Sequence, residues 1–316
     1  MIIVTGGAGF IGSNIVAALN DAGRSDILVV DDLSDGHKFR TLVGLRITDY
    51  LDKDVFLDHV TMGRGLGPVE AIVHQGACTD TTEWDGRYMM AENFDYSKAL
   101  LAYAQARGIP FVYASSGAVY GVNERFDEAA AIERPANVYG WSKWLFDRYL
   151  LDRWNQLEAQ VVGFRYFNVY GPNERHKGKM ASLVLQWHDQ LTSDGTLKLF
   201  GASHGVGPGE QQRDFVFVDD VAQVNLWALS RPDVSGIFNL GTGRKRSFND
   251  LARSVIDWHG QGEITYVPFP DHLMGSYQAV TEADLGRLRS AGCDHAFRPI
   301  EDGVPLYLSR LTQSTP

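Results

Sequence analysis

The first half of the chain alternates between short apolar runs and longer segments in which apolar residues recur at helical spacing. The apolar runs stand at residues 2–4, 27–30, 69–74, 111–115 and 161–165. The amphipathic segments cover residues 13–19, 93–107 and 138–153. Continuous apolar runs predict strands buried on both faces, and their alternation with helices predicts a parallel sheet. We therefore expect an α/β fold with a doubly wound parallel sheet covered by helices on both faces.

The pattern is less regular after residue 170. Glycine recurs through residues 195–209, which predicts a loop-rich stretch. Later elements are expected at residues 214–218 (strand), 219–229 (helix), 236–240 (a strand returning to the main sheet) and 248–259 (a helix capped by Ser247 or Asn249). The tail from Ile264 predicts a strand, a proline-bounded loop and a last helix.

Four glycines separate the first predicted strand from the first helix, and they are Gly6, Gly7, Gly9 and Gly12. Glycine lets the backbone turn tightly and approach a pyrophosphate, while the N–H groups of the new helix attract phosphate. A second strand then ends in Asp31, where such sites hold a ribose. Together these features predict a Rossmann-type dinucleotide site rather than a glycine-rich turn without a ligand.

These elements predict two lobes with a cleft between them. Residues 1–170, with a returning segment at about 236–260, form the expected dinucleotide-binding domain. Residues 171–316 form mainly a smaller C-terminal α/β substrate lobe. The chain starts with a core strand, so no signal peptide is expected before it.

Composition narrows the expected partners to small molecules. The net charge of −10 over 316 residues disfavours nucleic acid and anionic membranes. Cys78 and Cys293 are the only cysteines, which fits a reducing cytoplasm and gives no disulfide framework. No apolar run is long enough to span a bilayer. Neither His74 nor His176 has a second histidine at ligand spacing, so no metal site is expected.

Tyr139 and Lys143 are the strongest candidates for chemistry. They lie four apart in a predicted helix and therefore share one face. An ammonium beside a phenol favours the phenolate and lowers its pKa, so the tyrosine could accept a proton from an alcohol while a nicotinamide accepts hydride. Ser116 ends a strand at the carboxyl edge of the sheet, where its hydroxyl could bind the reacting oxygen. The alternative for Tyr139 and Lys143 is an amphipathic surface helix without a catalytic role. The alternative for Ser116 is that its hydroxyl only satisfies a backbone group at the strand end.

Several motifs together resemble the extended short-chain dehydrogenase/reductase superfamily of nucleotide-sugar enzymes, over nearly the whole chain. They are the glycine pattern, Asn93, Ser116, Tyr139, Lys143, residues 168–172, residues 213–220 and residues 239–243. Further stretches are similar to the ADP-heptose 6-epimerase family, namely residues 81–86 (TTEWDG), 164–172 (FRYFNVYGP) and 176–178 (HKG). The EWDG and HKG pieces are the more specific ones. The resemblance implies epimerisation at C6 of the heptose in ADP-D-glycero-D-manno-heptose, for the lipopolysaccharide core, by a homo-oligomer that could be a pentamer.

The resemblance also places Lys177 in the active site beside the tyrosine. An epimerase must return hydride to the opposite face of a ketone, so a second proton carrier on that face is useful. We hypothesise that Tyr139 and Lys177 divide the two proton transfers, with Lys143 and Ser116 supporting them. A solvated loop lysine or a phosphate contact remains the alternative for Lys177.

The residues expected at the cofactor follow from the same resemblance. They are Gly6, Gly9, Phe10, Ile11, Gly12, Asp31, Asp32, Lys38, Lys53, Gln75, Gly76, Ala77, Cys78, Asn93, Lys143, Val169 and Lys177. Asp31 favours NAD, since a carboxylate binds a ribose diol and repels a 2′-phosphate. Lys38 and Lys53 could neutralise that phosphate, and the resembled family uses NADP, so NADP is preferred and NAD is the alternative.

The residues expected at the substrate are Ser116, Asn168, Lys179, Gln186, Phe200, Gly201, Ala202, Ser203, Arg213 and Tyr277. Arg213 could grip a diphosphate with its fork of donors, or it could pair with Asp214 or Asp219. Two positions depart from the family pattern, which has an acidic residue at Gln75 and a histidine at Gln186. The competing functions are an NAD-dependent UDP- or GDP-sugar 4-epimerase and a non-catalytic dinucleotide-binding protein.

Overall fold

The computed structural model describes residues 1–123, 125–128, 132–271 and 277–313. The strands are β1 (Ile2–Thr5), β2 (Ile27–Asp31), β3 (Asp49–Asp52), β4 (Ala71–His74), β5 (Phe111–Ser116), β6 (Val161–Tyr166), β7 (Asn168–Tyr170), β8 (Thr196–Phe200), β9 (Gln212–Phe217), β10 (Gly236–Leu240), β11 (Lys245–Ser247) and β12 (Glu263–Val267). The helices are α1 (Phe10–Asp21), α2 (Lys53–Thr61), α3 (Gly86–Met90), α4 (Tyr96–Gln105), α5 (Val138–Leu151), α6 (Leu183–Asp194), α7 (Val218–Ser230), α8 (Phe248–His259), α9 (Gly286–Ser290) and α10 (Ile300–Gln313).

The predicted parallel sheet is confirmed. Within the described residues it has seven strands in the order β10-β6-β5-β4-β1-β2-β3, and every neighbouring pair is parallel. The strand order reverses beside β1, as in doubly wound folds, so ligand sites are expected beyond the carboxyl ends of these strands. The predicted return of residues 236–240 to this sheet is also confirmed, because β10 pairs with β6.

Helices cover both faces of the main sheet. On one face, Phe56 of α2, Leu100 of α4 and Phe146 of α5 are buried in one apolar cluster with the sheet. On the other face, Ile15 of α1 and Ala222 of α7 are buried together in a second cluster. Both faces are therefore removed from water, which is why the strands are continuously apolar.

β3, α2 and α6 are not predicted by the sequence pattern, and β8 lies in the stretch at residues 195–209 that was expected to be loop-rich. β3 is an edge strand with a half-exposed sequence, DYLD, that has little apolar signal. β8 lies within the expected loop, where buried Leu197 and Leu199 flank exposed Lys198. The glycines on either side concealed this short alternation.

The C-terminal elements build a second core. They form the strand groups β11-β9-β7 and β12-β8 within the described residues. One cluster buries Trp187 of α6, Phe215 of β9, Val255 of α8 and Tyr307 of α10. Ser247, rather than Asn249, caps α8, through a reciprocal capping box with Asp250.

The bounds of one predicted helix change in the structure. The helix expected at residues 93–107 begins earlier, because α3 continues through a π-helical turn at Ala91–Asp95 into α4, which ends at Gln105. Residues 272–276 of the expected proline-bounded loop lie outside the described residues. No helix in the described part of the chain has both the length and the apolar character needed to cross a membrane.

Candidate active site

A cavity of about 410 Å³ opens beyond the carboxyl ends of β5 and β6. It gathers predicted residues from distant parts of the chain. Those that line it are Phe10, Ile11, Gln75, Ala77, Ser116, Tyr139, Lys143, Asn168, Val169 and Lys177. The cavity therefore joins the glycine turn, the tyrosine helix and the segment after β7 in one space.

The first turns of α5 place Tyr139 and Lys143 at this cavity. Asn137 caps the helix by accepting a hydrogen bond from the Gly140 N–H over 2.7 Å. One turn later, Lys143 Nζ donates to the Ala114 carbonyl over 2.9 Å. Burial lowers the pKa of Lys143 to about 8, and the neighbouring charge of Asp147 opposes that shift.

The pKa of Tyr139 lies above its ordinary value because the phenol is buried, and a hydrogen bond with Ser116 opposes the rise. A lowered pKa for this phenol is expected from the sequence, and the net shift in this arrangement runs in the other direction. Desolvation of the phenolate outweighs the other influences. Ser116 Oγ also accepts a hydrogen bond from the Ala118 N–H over 3.1 Å, so this serine satisfies a backbone group as well as facing the tyrosine.

A buried charged network behind α5 escaped the sequence analysis. Asp147 lies one further turn along the helix from Lys143, and its carboxylate accepts hydrogen bonds from Tyr113 and Arg165. Arg165 also contacts Glu133 over 2.5 Å, and all three charged side chains are essentially fully buried. The recurrence of a polar residue every four positions, at 139, 143 and 147, was the available signal.

The glycine turn fits a dinucleotide. Gly6 has a φ of +65°, and a Cβ on Gly12 would lie 2.0 Å from the Gly6 carbonyl oxygen. Only glycine permits this close approach of α1 to the turn. Among the described residues no side chain caps α1, so the N–H groups of its first turn are available to a phosphate.

The predicted adenosine residues meet at a second cavity of about 160 Å³. Its lining includes Gly6, Asp31, Asp32, Lys38, Lys53, Gly76, Ala77 and Cys78. Asp31 accepts a hydrogen bond from the Ala8 N–H over 2.8 Å and pairs with Lys38. Lys53 pairs with Glu92 over 2.8 Å. Both predicted lysines therefore reach this cavity, where carboxylates already balance them.

Two polar residues shape the space between the cavities. Asn93 holds the segment after β4 by bonding both backbone groups of Cys78, over 2.8 and 3.0 Å. Gln75 Oε1 accepts a hydrogen bond from the Tyr166 hydroxyl over 3.0 Å. Gln75 Nε2 is buried without a hydrogen-bond partner among the described residues. A buried donor in this state suits a bound polar group at the cavity.

Lys177 lines the same cavity from a separate segment of the chain. It lies in a 3-10 turn, Arg175–Met180, which follows β7. Its ammonium lies 5.1 Å from the centre of the Phe10 ring, above the start of α1. Burial lowers the pKa of Lys177, while the neighbouring charge of Glu174 opposes the shift.

Lys179 and Gln186 do not join the lining of the 410 Å³ cavity. Lys179 Nζ donates to the Thr82 hydroxyl over 3.1 Å at an exposed position. Gln186 Nε2 donates to the Ala181 carbonyl over 2.7 Å. In this arrangement the two side chains expected at the substrate therefore bind other parts of the protein beside the cavity.

Arg213 is a buried cation at the far end of the site. It is 8% exposed, and its guanidinium lies 4.8 Å from the Tyr277 ring centre and 5.5 Å from that of Phe248. Asp214 instead binds Thr242, Gly243 and Ala283, and Asp219 pairs with Arg310. The alternative ion pairs for Arg213 are therefore absent among the described residues, and burial lowers its pKa.

The other predicted substrate residues lie around Tyr277. The Phe200 ring lies 6.3 Å from the Tyr277 ring. Gln211 Nε2 fixes the following turn by donating to the Gly201 carbonyl and to Ser203 Oγ, over 3.0 and 2.9 Å; Ala202 lies between them. Phe248 lines the large cavity as well as contacting Arg213, so the Arg213 region continues from that cavity.

The chain is similar to proteins of known activity. It is 57% identical over 314 residues to the ADP-L-glycero-D-manno-heptose-6-epimerase of Alkalilimnicola ehrlichii, covering 99% of this chain and 98% of that relative. The fold matches the Helicobacter pylori ADP-L-glycero-D-manno-heptose-6-epimerase with a TM-score of 0.84 and 30% identity, over 98% of this chain and 96% of that chain. It also matches the Thermus thermophilus UDP-glucose 4-epimerase in complex with NAD, with a TM-score of 0.79 and 25% identity over 99% of each.

Residues 2–241 match the sequence profile of the NAD dependent epimerase/dehydratase family. This region contains the glycine turn, Tyr139, Lys143 and Lys177. The chain therefore belongs to the NAD dependent epimerase/dehydratase family.

Proposed function

We propose that this protein inverts C6 of the heptose in ADP-D-glycero-D-manno-heptose to give the L-glycero epimer, for the heptose of the lipopolysaccharide core. The observation that carries the proposal is the shared cavity of Tyr139 and Lys177. These two proton carriers come from separate elements, α5 and the turn after β7, and line one space. The 57% identity to a heptose 6-epimerase supports the same substrate.

The residues present fit a nicotinamide dinucleotide. The uncapped start of α1 suits its pyrophosphate, and the unpartnered Gln75 Nε2 offers a donor nearer the reacting end. A nicotinamide held there would supply reversible hydride transfer at C6, with no net oxidation over the cycle. Lys38 and Lys53 on one cavity favour NADP, while Asp31 at the end of β2 is the feature that would suit NAD.

Tyr139 acts on one face of C6 in this proposal. Its phenol exchanges a proton with the C6 hydroxyl, and Ser116 beside it orients the reacting oxygen. Lys143, held by Ala114, supplies positive charge that favours the phenolate once the tyrosine is deprotonated. A buried phenol holds its proton tightly, so this charge is needed for proton transfer.

Lys177 acts on the opposite face. Burial lowers its pKa, which brings the amine closer to a state that can accept and return a proton near neutral pH. The 6-keto sugar turns between the two transfers, so that hydride returns to its other face. The site must exclude water while the ketone turns.

Arg213 provides the grip on the nucleotide in this proposal. A buried guanidinium without a carboxylate partner is costly, and a diphosphate would satisfy it with paired hydrogen bonds. Its position between Tyr277 and Phe248 suits a nucleotide, with the sugar extending along Phe248 toward Tyr139. Binding at a distance from C6 holds the diphosphate still while the sugar moves.

The proposal is tested by incubating the protein with ADP-D-glycero-D-manno-heptose in D₂O without added cofactor, and following C6 by proton NMR. Inversion without deuterium at C6 is expected, because the hydride returns directly from the bound cofactor. Deuterium at C6 would indicate carbanion chemistry and overturn the hydride mechanism. Turnover of UDP-sugars without inversion of the heptose would assign the protein to the 4-epimerases, and binding without any turnover would assign it to non-catalytic dinucleotide-binding proteins.

Exposed aromatic side chains support assembly of the protein into a homo-oligomer. Trp84, Tyr88 and Trp141 expose large aromatic surfaces on or beside the adjacent helices α3 and α5, which supports a homo-oligomer, with a pentamer as the expected form. Light scattering of the holoenzyme measures the oligomeric state directly.

The free thiols of Cys78 and Cys293 support a cytoplasmic location.

A further inference from the structure

The segment from Gly171 to Ser182 carries Lys177 but has little regular structure of its own. It joins β7 to α6 and contains one 3-10 turn, which is kinked at Gly178 with a φ of +53°. Such a segment holds a side chain in place only if other contacts fix it. Three groups of contacts meet this need.

Glu174 makes the central contacts. Its carboxylate is fully buried, with 0% exposure. Oε2 accepts a hydrogen bond from the Ser182 N–H over 2.6 Å, and Oε1 accepts one from the Ser182 hydroxyl over 2.6 Å. Oε1 also lies 3.4 Å from the Gly171 N–H, which donates to it. One carboxylate therefore joins the two ends of the segment.

The ends that Glu174 joins are themselves fixed. Gly171 packs so closely on α7 that a Cβ there would lie 2.4 Å from a methyl group of Val218. Ser182 is the residue before α6, where a serine hydroxyl ordinarily caps the helix. No side-chain cap forms at Ser182 among the described residues; its hydroxyl is directed at Glu174, to which it donates. The Ser182 hydroxyl thus binds the Glu174 carboxylate rather than the first turn of α6.

Lys177 is connected to Glu174 through the backbone. The Lys177 N–H donates to the Glu174 carbonyl over 3.0 Å. On the other side of the segment, Asn173 Nδ2 donates to Ser13 Oγ over 3.1 Å, and Asn14 Nδ2 donates to the Pro172 carbonyl over 3.0 Å. The turn that carries Lys177 is thus fastened to α1 at its start and to Glu174 at its base.

Keeping a carboxylate in this place costs free energy. Burial raises the pKa of Glu174, and the hydrogen bonds from Ser182 only partly oppose that rise. Tyr307 of α10 lies against the same carboxylate; burial raises the pKa of that phenol, and the charge of Glu174 adds to the rise. An apolar side chain could fill the same volume without this cost, but it could not bind both ends of the segment.

We propose that Glu174 is a positioning residue, whose carboxylate closes the segment 171–182 and thereby holds the Lys177 ammonium at the cavity for proton transfer. This inference rests on the proposed function, in which Lys177 is the second proton carrier. Glu174 touches neither substrate nor cofactor in this role, so its effect must pass through Lys177.

A double-mutant cycle on the holoenzyme tests that requirement. Glu174→Ala, Lys177→Met and the double variant are assayed for kcat and KM with ADP-D-glycero-D-manno-heptose. Glu174→Ala is expected to lower kcat by about tenfold to a hundredfold, since small misplacement of a reacting group has effects of this size. KM is expected to stay within about threefold of wild type. The double variant is expected to be no more than about twofold slower than Lys177→Met, because the two changes remove the same contribution.

The conservative change Glu174→Gln keeps an acceptor oxygen and is expected to recover part of the lost kcat. If Glu174→Ala does not fold, Glu174→Gln and Ser182→Ala carry the same cycle. The control is Asp220→Asn, which alters a buried carboxylate bonded to Arg298 and His295 instead. Any loss of kcat in this control is expected to multiply with that of Lys177→Met.

The outcomes separate the inference from the proposed function. A slow Lys177→Met variant that becomes slower again, by the full factor of Glu174→Ala, would overturn the positioning role and leave the function standing. Folded Glu174 and Ser182 variants with wild-type kcat would also overturn it. A Lys177→Met variant with wild-type kcat would remove Lys177 from the chemistry and overturn the positioning role, while the epimerase activity itself would stand. Absence of any turnover of the ADP-heptose by the wild type would instead overturn the proposed function.

Discussion

The hydroxyl of Ser115 donates a hydrogen bond to the carboxylate of Asp147 over 2.9 Å in the interior of the protein. This contact ties β5 to α5 one residue before Ser116 and one helical turn after Lys143. The neighbouring contact from Lys143 to the Ala114 carbonyl runs between the same two elements. Two consecutive strand residues thus set the distance between the helix of Tyr139 and the strand that ends in Ser116.

Asp147→Ala is expected to destabilise the protein by about 3–5 kcal/mol, since it leaves the buried guanidinium of Arg165 without one of its two carboxylates. Urea unfolding measures the change. The control is Asp152→Ala on the same helix, which removes an exposed pair with Arg148 at 3.7 Å and is expected to cost less than about 1 kcal/mol. Equal effects for the two variants would show that burial of the network contributes nothing.

Lys143→Met is expected to abolish epimerisation yet stabilise the cofactor-free protein near neutral pH. Burial lowers the pKa of Lys143 to about 8 from its ordinary 10.5, so the charged form is disfavoured in the folded state. Between these two values the unfolded chain binds more protons than the folded protein, and wild-type stability contributed by this group therefore rises with pH. Below pH 8 the cost is fully present, on the order of 3 kcal/mol, and the lost bond to Ala114 offsets part of the gain in the variant.

Unfolding of the wild type and Lys143→Met at pH 7 and pH 9.5 tests this sign. The advantage of the variant is expected to be about 1–2 kcal/mol at pH 7, after the lost hydrogen bond is allowed for, and smaller at pH 9.5. An advantage that grew with pH would contradict the lowered pKa. Lys98→Met, which removes a partly exposed lysine paired with Asp95, is the control and is not expected to stabilise the protein at pH 7.

Arg213→Met is expected to weaken binding of ADP and of the ADP-sugar by about tenfold to a hundredfold, since it removes a charge-assisted fork of donors. The cofactor-free protein should become more stable, because a buried cation without a carboxylate partner is lost. Calorimetric titration and thermal unfolding measure the two effects. Arg253→Met changes an exposed arginine and should alter neither; unchanged ADP affinity in Arg213→Met would place the diphosphate elsewhere.

Replacing both Lys38 and Lys53 with methionine is expected to reduce NADP affinity by at least about tenfold while changing NAD affinity little, if these lysines neutralise a 2′-phosphate. Affinities of the cofactor-free protein for the two dinucleotides measure this directly. Lys98→Met again serves as a control on an ion-paired lysine outside the cavity. Equal losses for NADP and NAD would assign the lysines to a part that both cofactors share.

The sequence was sufficient for features that depend on local pattern. Buried parallel strands have continuous apolar runs, and the glycine turn has a fixed spacing, so β1, α1 and the main sheet were predictable. β3 and β8 were not, because an edge strand and a short alternating strand bury too few residues to leave a strong pattern. Their stability comes from partners distant in the chain, β2 and β12.

The residues of the candidate site likewise include some that a local sequence pattern predicts and some that it does not. Tyr139 and Lys143 were found from helical spacing, and Lys177 was found only through resemblance, since nothing in HKG itself specifies its place above Phe10. The buried acids that hold these residues, Asp147 and Glu174, gave little signal because a lone carboxylate is common on any surface. Only the folded chain shows that both are enclosed.

The pairing of β10 with β6 has a consequence for synthesis on the ribosome. β6 is buried along its whole length, and its outer edge is covered only when residues 236–240 arrive. Until then, the emerging chain presents an apolar strand with unpaired backbone groups, which is a template for aggregation. The main sheet therefore cannot be completed when β6 has been synthesised. About seventy more residues must be synthesised first, which takes several seconds at ordinary rates of translation. During this time the exposed strand is a binding site for a chaperone.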